Sequence, residues 1–173
     1  MKAPYKPNKI NIFEEEASPT WSGVIGGLLI NFAAVEYASF RWVDALSDGN
    51  DIMRDLSIDI NFSRRIALIH RLIDRAEWPE PRKVEAKMMW TKAGKLSEIR
   101  NTIAHNPLCS LPDETDGLKM GVINTKKMKG VGPYSIEVVS LNEIQSSGHS
   151  LAELSAKLHG FLREPHDNEG EPV

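Results

Sequence analysis

Apolar positions recur with a helical period over most of this chain, and the period changes once, late in the sequence. From Trp21 to about Leu46 apolar residues are nearly continuous, which predicts a long helix apolar on most of its circumference and the most buried of the fold. Ser18-Pro19-Thr20 offers a hydroxyl cap beside a proline tolerated in a first turn, and Ser47-Asp48-Gly49-Asn50 ends the run. Gly26-Gly27 inside it lowers helix propensity, so another backbone is expected to pack closely there. Glu36 and Arg41 are expected on its narrow polar stripe.

A second helical zone covers roughly 51 to 76. Asp51 is placed to cap a short segment through Leu56, and Asn61 or Ser63 to cap the next. Ile66, Ile69, Leu72 and Ile73 follow at helical spacing, with Arg64, Arg65, His70, Arg71 and Arg75 among them. Trp78-Pro79-Glu80-Pro81 breaks the pattern. Pro81 then opens a third long helix that runs to about His105, because Pro107 disfavours helical geometry at Asn106.

Beyond it the period shortens. Residues 118–125 and 134–140 are rich in β-branched side chains and flank the Lys/Gly-rich link KKMKGVGP, which predicts a β-hairpin at about 118–140. A last helix is expected over about 141–163, with Leu151, Leu154, Leu158 and Leu162 on one stripe. The fold class is mainly α: a bundle of four or five helices with a hairpin inserted before the last. Residues 1–17 read as an extended arm, 18–163 as a single helical domain and 164–173 as a polar tail.

Composition narrows this only slightly. The chain has 173 residues, 41% hydrophobic and 26% charged, as expected of one soluble globular domain. Its net charge of −3 supplies no global field for nucleic acid, so such binding would need a local basic patch. The single cysteine, Cys109, excludes an internal disulfide and a multi-cysteine zinc site. The N-terminus has no apolar leader pattern, and the apolar run over 21–35 is shorter than the ~20 residues that cross a bilayer. A cytoplasmic protein without membrane contact is expected.

The chemistry concentrates in one stretch, EIRNTIAHNP, residues 98–107. Set on a helix of ~100° per residue, Met88, Met89, Ala93, Leu96, Ile99, Ile103 and Ala104 form a broad apolar arc. Lys87, Trp90, Thr91, Gly94, Ser97, Glu98, Asn101 and His105 fall opposite, with Arg100 on the border. Asn101 and His105 are one turn apart, and Arg100 can swing beside them. Trp90, Gly94 and Ser97 suggest that this face is covered.

Arg100-Asn101, three further residues and His105 near the end of a helix, in a small helical bundle, resemble the signature of the HEPN superfamily (higher eukaryotes and prokaryotes nucleotide-binding domains). The resemblance rests on those six positions and the helical order. One branch of the family has a tyrosine two places after the histidine, where this chain has Pro107. The resemblance implies a metal-independent ribonuclease acting as a homodimer, the motif helices facing across a cleft, with Arg100, Asn101 and His105 catalytic and no cofactor.

The residue types suit that task. Histidine, with an unperturbed pKa of ~6.5, serves acid–base chemistry at the 2′-OH and the leaving oxygen. Its place at a helix end favours imidazolium and hence the acid role or phosphate binding. Arginine presents a planar donor fork to phosphate oxygens, and asparagine can orient the imidazole. One chain offers one such histidine, so a two-fold dimer would supply base and acid. Lys83, Lys87 and Lys95, with Lys126, Lys127 and Lys129 of the expected hairpin, are the candidate RNA-binding cations. A toxin or defence nuclease, with a cognate inhibitor protein, is the fullest form of this reading.

Plainer readings stand beside it. The motif is also what a helix terminus stopped by Asn-Pro looks like, and the same bundle without catalysis would bind nucleotide, RNA or a protein partner. Glu36 has a second reading as a partner of the motif arginine across the core. Glu98 has one as orienter of Arg100 or His105. The remaining histidines show no metal-like pairing. No glycine-rich phosphate loop, nucleophile elbow, HExxH or paired acidic motif occurs, which sets aside kinases, serine hydrolases and zinc proteases.

Overall fold

The computed structural model describes residues 11–12, 19–106, 108–112, 118–123 and 136–163. In chain order the elements are β1 (Asn11–Ile12), α1 (Pro19–Leu46), α2 (Asp51–Asp59), α3 (Phe62–Arg75) and α4 (Glu80–His105). They are followed by β2 (Leu108–Pro112), β3 (Leu118–Ile123), β4 (Ile136–Val139) and α5 (Leu141–Phe161). The protein is mainly helical. Its residues pack as two compact units, Met1–Ile30 with Leu96–Ser150, and Asn31–Lys95 with Leu151–Val173.

Local chemistry sets the helix boundaries. Asp48 and Gly49 adopt φ of 52° and 69° in the turn after α1, a left-handed region natural for glycine and tolerated by aspartate. The Asn50 side chain then accepts the Met53 amide at 3.1 Å and opens α2. Asn61 likewise accepts the Arg64 amide at 3.0 Å and opens α3. In α4, Pro81 occupies the first turn, where a missing N–H costs nothing. Ser140 and Glu143 exchange backbone and side-chain bonds at the start of α5, so each satisfies an otherwise orphaned amide.

The first unit is built on a four-stranded antiparallel sheet in the order β1-β2-β3-β4. It is larger than the two strands expected. Leu118–Ile123 pairs with Ile136–Val139, but Leu108–Pro112 joins on the other side of β3 and carries Asn11–Ile12 at its edge. Part of the expected arm is therefore a strand, and Cys109 stands opposite Ile12. Leu28, Ile103, Val122, Val139 and Ile144 are buried in this unit. Gly148 of α5 lets the α1 backbone approach: a Cβ there would lie 3.7 Å from Leu28 Cα.

The second unit is organised by aromatic rings. Trp42 is fully buried, stacks on Phe161 at 5.4 Å and meets Trp90 and Trp78 edge-on at 5.5 and 6.1 Å. Its Nε1 donates to the Leu158 carbonyl at 3.0 Å, which satisfies the one polar atom of the ring. The Arg82 guanidinium covers the Phe161 ring and donates to the Phe161 carbonyl at 2.9 Å.

Two expectations for α1 fail. The helix buries Leu28, Phe32, Val35, Ala38, Trp42 and Val43, but Leu29, Ile30 and Tyr37 are exposed, so it is not buried all round. A Cβ at Gly26 or Gly27 would meet nothing within 4 Å, so no close backbone explains those glycines among the described residues. The apolar run of 21–35 also understates the helix. Thr20–Leu46 is by length and composition long and apolar enough to cross a membrane, a test that a core helix also passes.

Candidate functional site

The motif closes α4. Helical geometry persists through His105 and stops at Asn106, whose Nδ2 turns back to donate to the Thr102 carbonyl at 2.8 Å. This local bond satisfies one of the carbonyls that a helix end leaves open. Arg100 Nη1 donates to Asn101 Oδ1 at 2.9 Å, so the two motif side chains are in direct contact. Arg100 and Asn101 are half-buried and His105 is exposed at the last helical position. A phosphate group approaching this end would meet an accessible imidazole and a guanidinium that is already oriented. Glu98 is exposed, and no bond links it to Arg100 or His105.

The buried face of α4 is turned from the one the apolar pattern suggests. Ala86, Met89, Trp90, Ala93, Ser97 and Ile103 are buried, while Met88 and Ala104 of the expected apolar arc are exposed. Trp90 and Ser97 thus belong to the interior. Gly94 shows the physical reason along the first part of the helix: Ile66 of α3 lies 3.6 Å from where its Cβ would be. The small residues expected to accommodate another chain accommodate this one.

The proposed phosphate-tracking lysines divide. Lys87 forms an ion pair with Asp74 of α3, and Lys83 Nζ donates to the Asp74 carbonyl oxygen at 3.2 Å. The hydrogen bond from Lys87 holds the Asp74 carboxyl below its usual range. Both ammonium groups therefore tie α4 to the end of α3. Lys95 is exposed on α4. Lys126, Lys127 and Lys129 lie outside the described residues.

Glu36 does not serve the motif. Its carboxylate lies 3.7 Å from Arg65 Nη1. Arg65, only 3% exposed, is the polar residue that the sequence reading overlooked. Its three nitrogens donate to the Ser57 carbonyl at 2.9 Å, Ser39 Oγ at 3.0 Å and the Ile60 carbonyl at 3.0 Å. The guanidinium also lies 3.7 Å over the Phe40 ring. Burial lowers its pKa and the Glu36 charge opposes that shift. A signal was present, since Arg65 shares the helical face of Ile69, Leu72 and Ile73.

His70 is half-buried on α3, and its Nε2 has no hydrogen-bond partner among the described residues. Burial pushes its pKa down, with Lys87 adding to the effect and Asp74 opposing it. Among the described residues no group of three His, Cys, Asp or Glu is arranged to hold a metal ion.

Site and fold together define a mainly helical protein with one polar cluster at a helix end. Compared with known proteins, the chain matches no family model, no curated protein and no solved structure.

Proposed function

We propose that the chain is a metal-independent endoribonuclease of the HEPN type, cutting RNA at a site completed by two protomers. The observation that carries this reading is the contact of Arg100 with Asn101 beside an exposed His105, one turn on, at the end of α4. In the reaction, one imidazole takes the proton of a ribose 2′-OH as O2′ attacks the adjacent phosphorus. A second imidazolium returns a proton to the departing O5′, leaving a 2′,3′-cyclic phosphate and a 5′-hydroxyl. The Arg100 fork neutralises the crowded phosphorane, and Asn101 holds Arg100 in place. The second imidazole is the partner subunit's His105, which makes the homodimer part of the chemistry. A toxin or defence role, with an inhibitor protein masking the site, follows from an exposed RNA-cutting centre.

Labelled RNA incubated in excess chelator tests the proposal. Wild type is expected to cleave, and His105→Ala and Arg100→Ala to lose about 100-fold or more in rate while remaining folded. Equal cleavage by all three proteins would remove the site. Binding without cleavage by wild type would leave a non-catalytic RNA- or nucleotide-binding module.

A further inference from the structure

The outward face of α3 carries Arg64, Arg71 and Arg75, separated by seven and then four residues. At 1.5 Å rise per residue the three stand nearly in line over about 16 Å, a length along which a nucleic-acid strand presents several phosphates. We infer that this arginine face docks the sugar–phosphate backbone of RNA, an inference that rests on the ribonuclease reading above.

Selective pairing of charge supports it. Arg54 is held by Asp44 and Asp51, Arg65 by Glu36 and three oxygens, and Lys87 by Asp74. Arg64, Arg71 and Arg75 are exposed, and their side chains have no ion pair or hydrogen bond among the described residues. The acid nearest in sequence to Arg71 and Arg75 is Asp74, and its carboxylate is drawn aside to Lys87. Within α3, four arginines stand against that single acid, in a chain whose net charge is −3. The local sign is thus the reverse of the global one, which is the footprint of a polyanion site.

Shape and stiffness agree with charge. The other residues on this face are Ala67 and the half-buried Leu68, with no acid to repel phosphate. It also lacks the large apolar anchor that the centre of a protein interface needs. The opposite face is fixed by buried Ile69, Leu72 and Ile73 and by the Arg65 bonds, so the arginines project from a rigid support. Arginine in place of lysine gives each position a planar fork for phosphate oxygens.

The test uses the full chain and a fluorescent 2′-O-methyl RNA, which lacks the attacking hydroxyl and so reports binding alone. Wild type is titrated at several potassium chloride concentrations beside the triple variant Arg64→Gln/Arg71→Gln/Arg75→Gln and a control, Arg41→Gln, in an exposed residue of α1. The triple variant is expected to bind at least about 10-fold more weakly at low salt. Its plot of log affinity against log salt should flatten by about 2, for three phosphates released from a single strand. The control should match wild type, and circular dichroism should show an unchanged fold. Unchanged affinity and slope in the triple variant, no binding by wild type, or equal competition by poly-glutamate would each overturn the inference. A wild type that cleaves while the triple variant binds normally defeats the arginine face and leaves the nuclease standing. Weakened binding in a protein that cleaves nothing does the reverse.

Discussion

Two arginines divide the molecule into what is spent on folding and what is kept for chemistry. Arg65 is almost wholly buried, and each of its nitrogens is committed to an oxygen of α1, α2 or the α2–α3 junction. Arg100 is half-buried at the end of a helix, holds its neighbour Asn101, and stands one turn from an exposed histidine. The same side chain is a structural clamp in one setting and a candidate phosphate ligand in the other. Burial and the number of fixed acceptors make the difference, not residue type.

The largest expected effect breaks this contrast on the folding side. Arg65→Ala should cost about 3–5 kcal/mol, since Ser39, Ser57 and Ile60 lose a donor in a dry place and Glu36 loses its counter-ion. Arg100→Ala should cost about 1 kcal/mol by comparison, read from urea denaturation midpoints of both variants. Cleavage of RNA should follow the opposite order. A larger loss of stability at Arg100 than at Arg65 would collapse the distinction.

Smaller changes sharpen it. Asn61→Ala removes the cap of α3 and should cost about 1 kcal/mol without changing the residues of the motif. Gly26→Ala and Gly27→Ala should each stabilise the protein by about 0.5–1 kcal/mol, because the added methyl meets nothing and helix propensity rises. Destabilisation by either would mean that the open face of α1 is occupied in solution.

The smallest effect is a pH dependence. Burial lowers the His70 pKa, so the unfolded chain binds the proton more tightly than the folded one. Stability should therefore rise with pH through the window below the unfolded value of ~6.5 and be lost on acidification there. His70→Gln should flatten the change in denaturation midpoint between about pH 5.5 and 7.5, a range set by that same unfolded pKa. An unaltered slope would remove His70 as its source.

Much of the helical frame was legible because its signals are local. Asn61, the Pro79-Glu80-Pro81 break and Pro107 act within a turn of themselves, and the helices begin and end where these residues place them. The position of Arg100, Asn101 and His105 at the end of α4 follows from the same chemistry. Long-range pairings were not legible. Asn11 and Ser110 meet across about a hundred residues, and neither short segment carries an alternation that names its partner. The rotation of α4 escaped for a similar reason. Apolar side chains alone point to Met88, whereas Trp90, Gly94 and Ser97 are enclosed by the way the chain packs on that side. Lys83 and Lys87 looked available for RNA because only the folded chain brings Asp74 to them.

The most direct measurement follows the ends of a labelled RNA in excess chelator, with wild type and His105→Ala at equal concentration. The expected result is a 2′,3′-cyclic phosphate product from wild type and a rate lower by about two orders of magnitude or more in the variant, both proteins unfolding at the same urea concentration. Identical product formation by the two, or no product from a folded wild-type dimer, would contradict a ribonuclease centre at the end of α4.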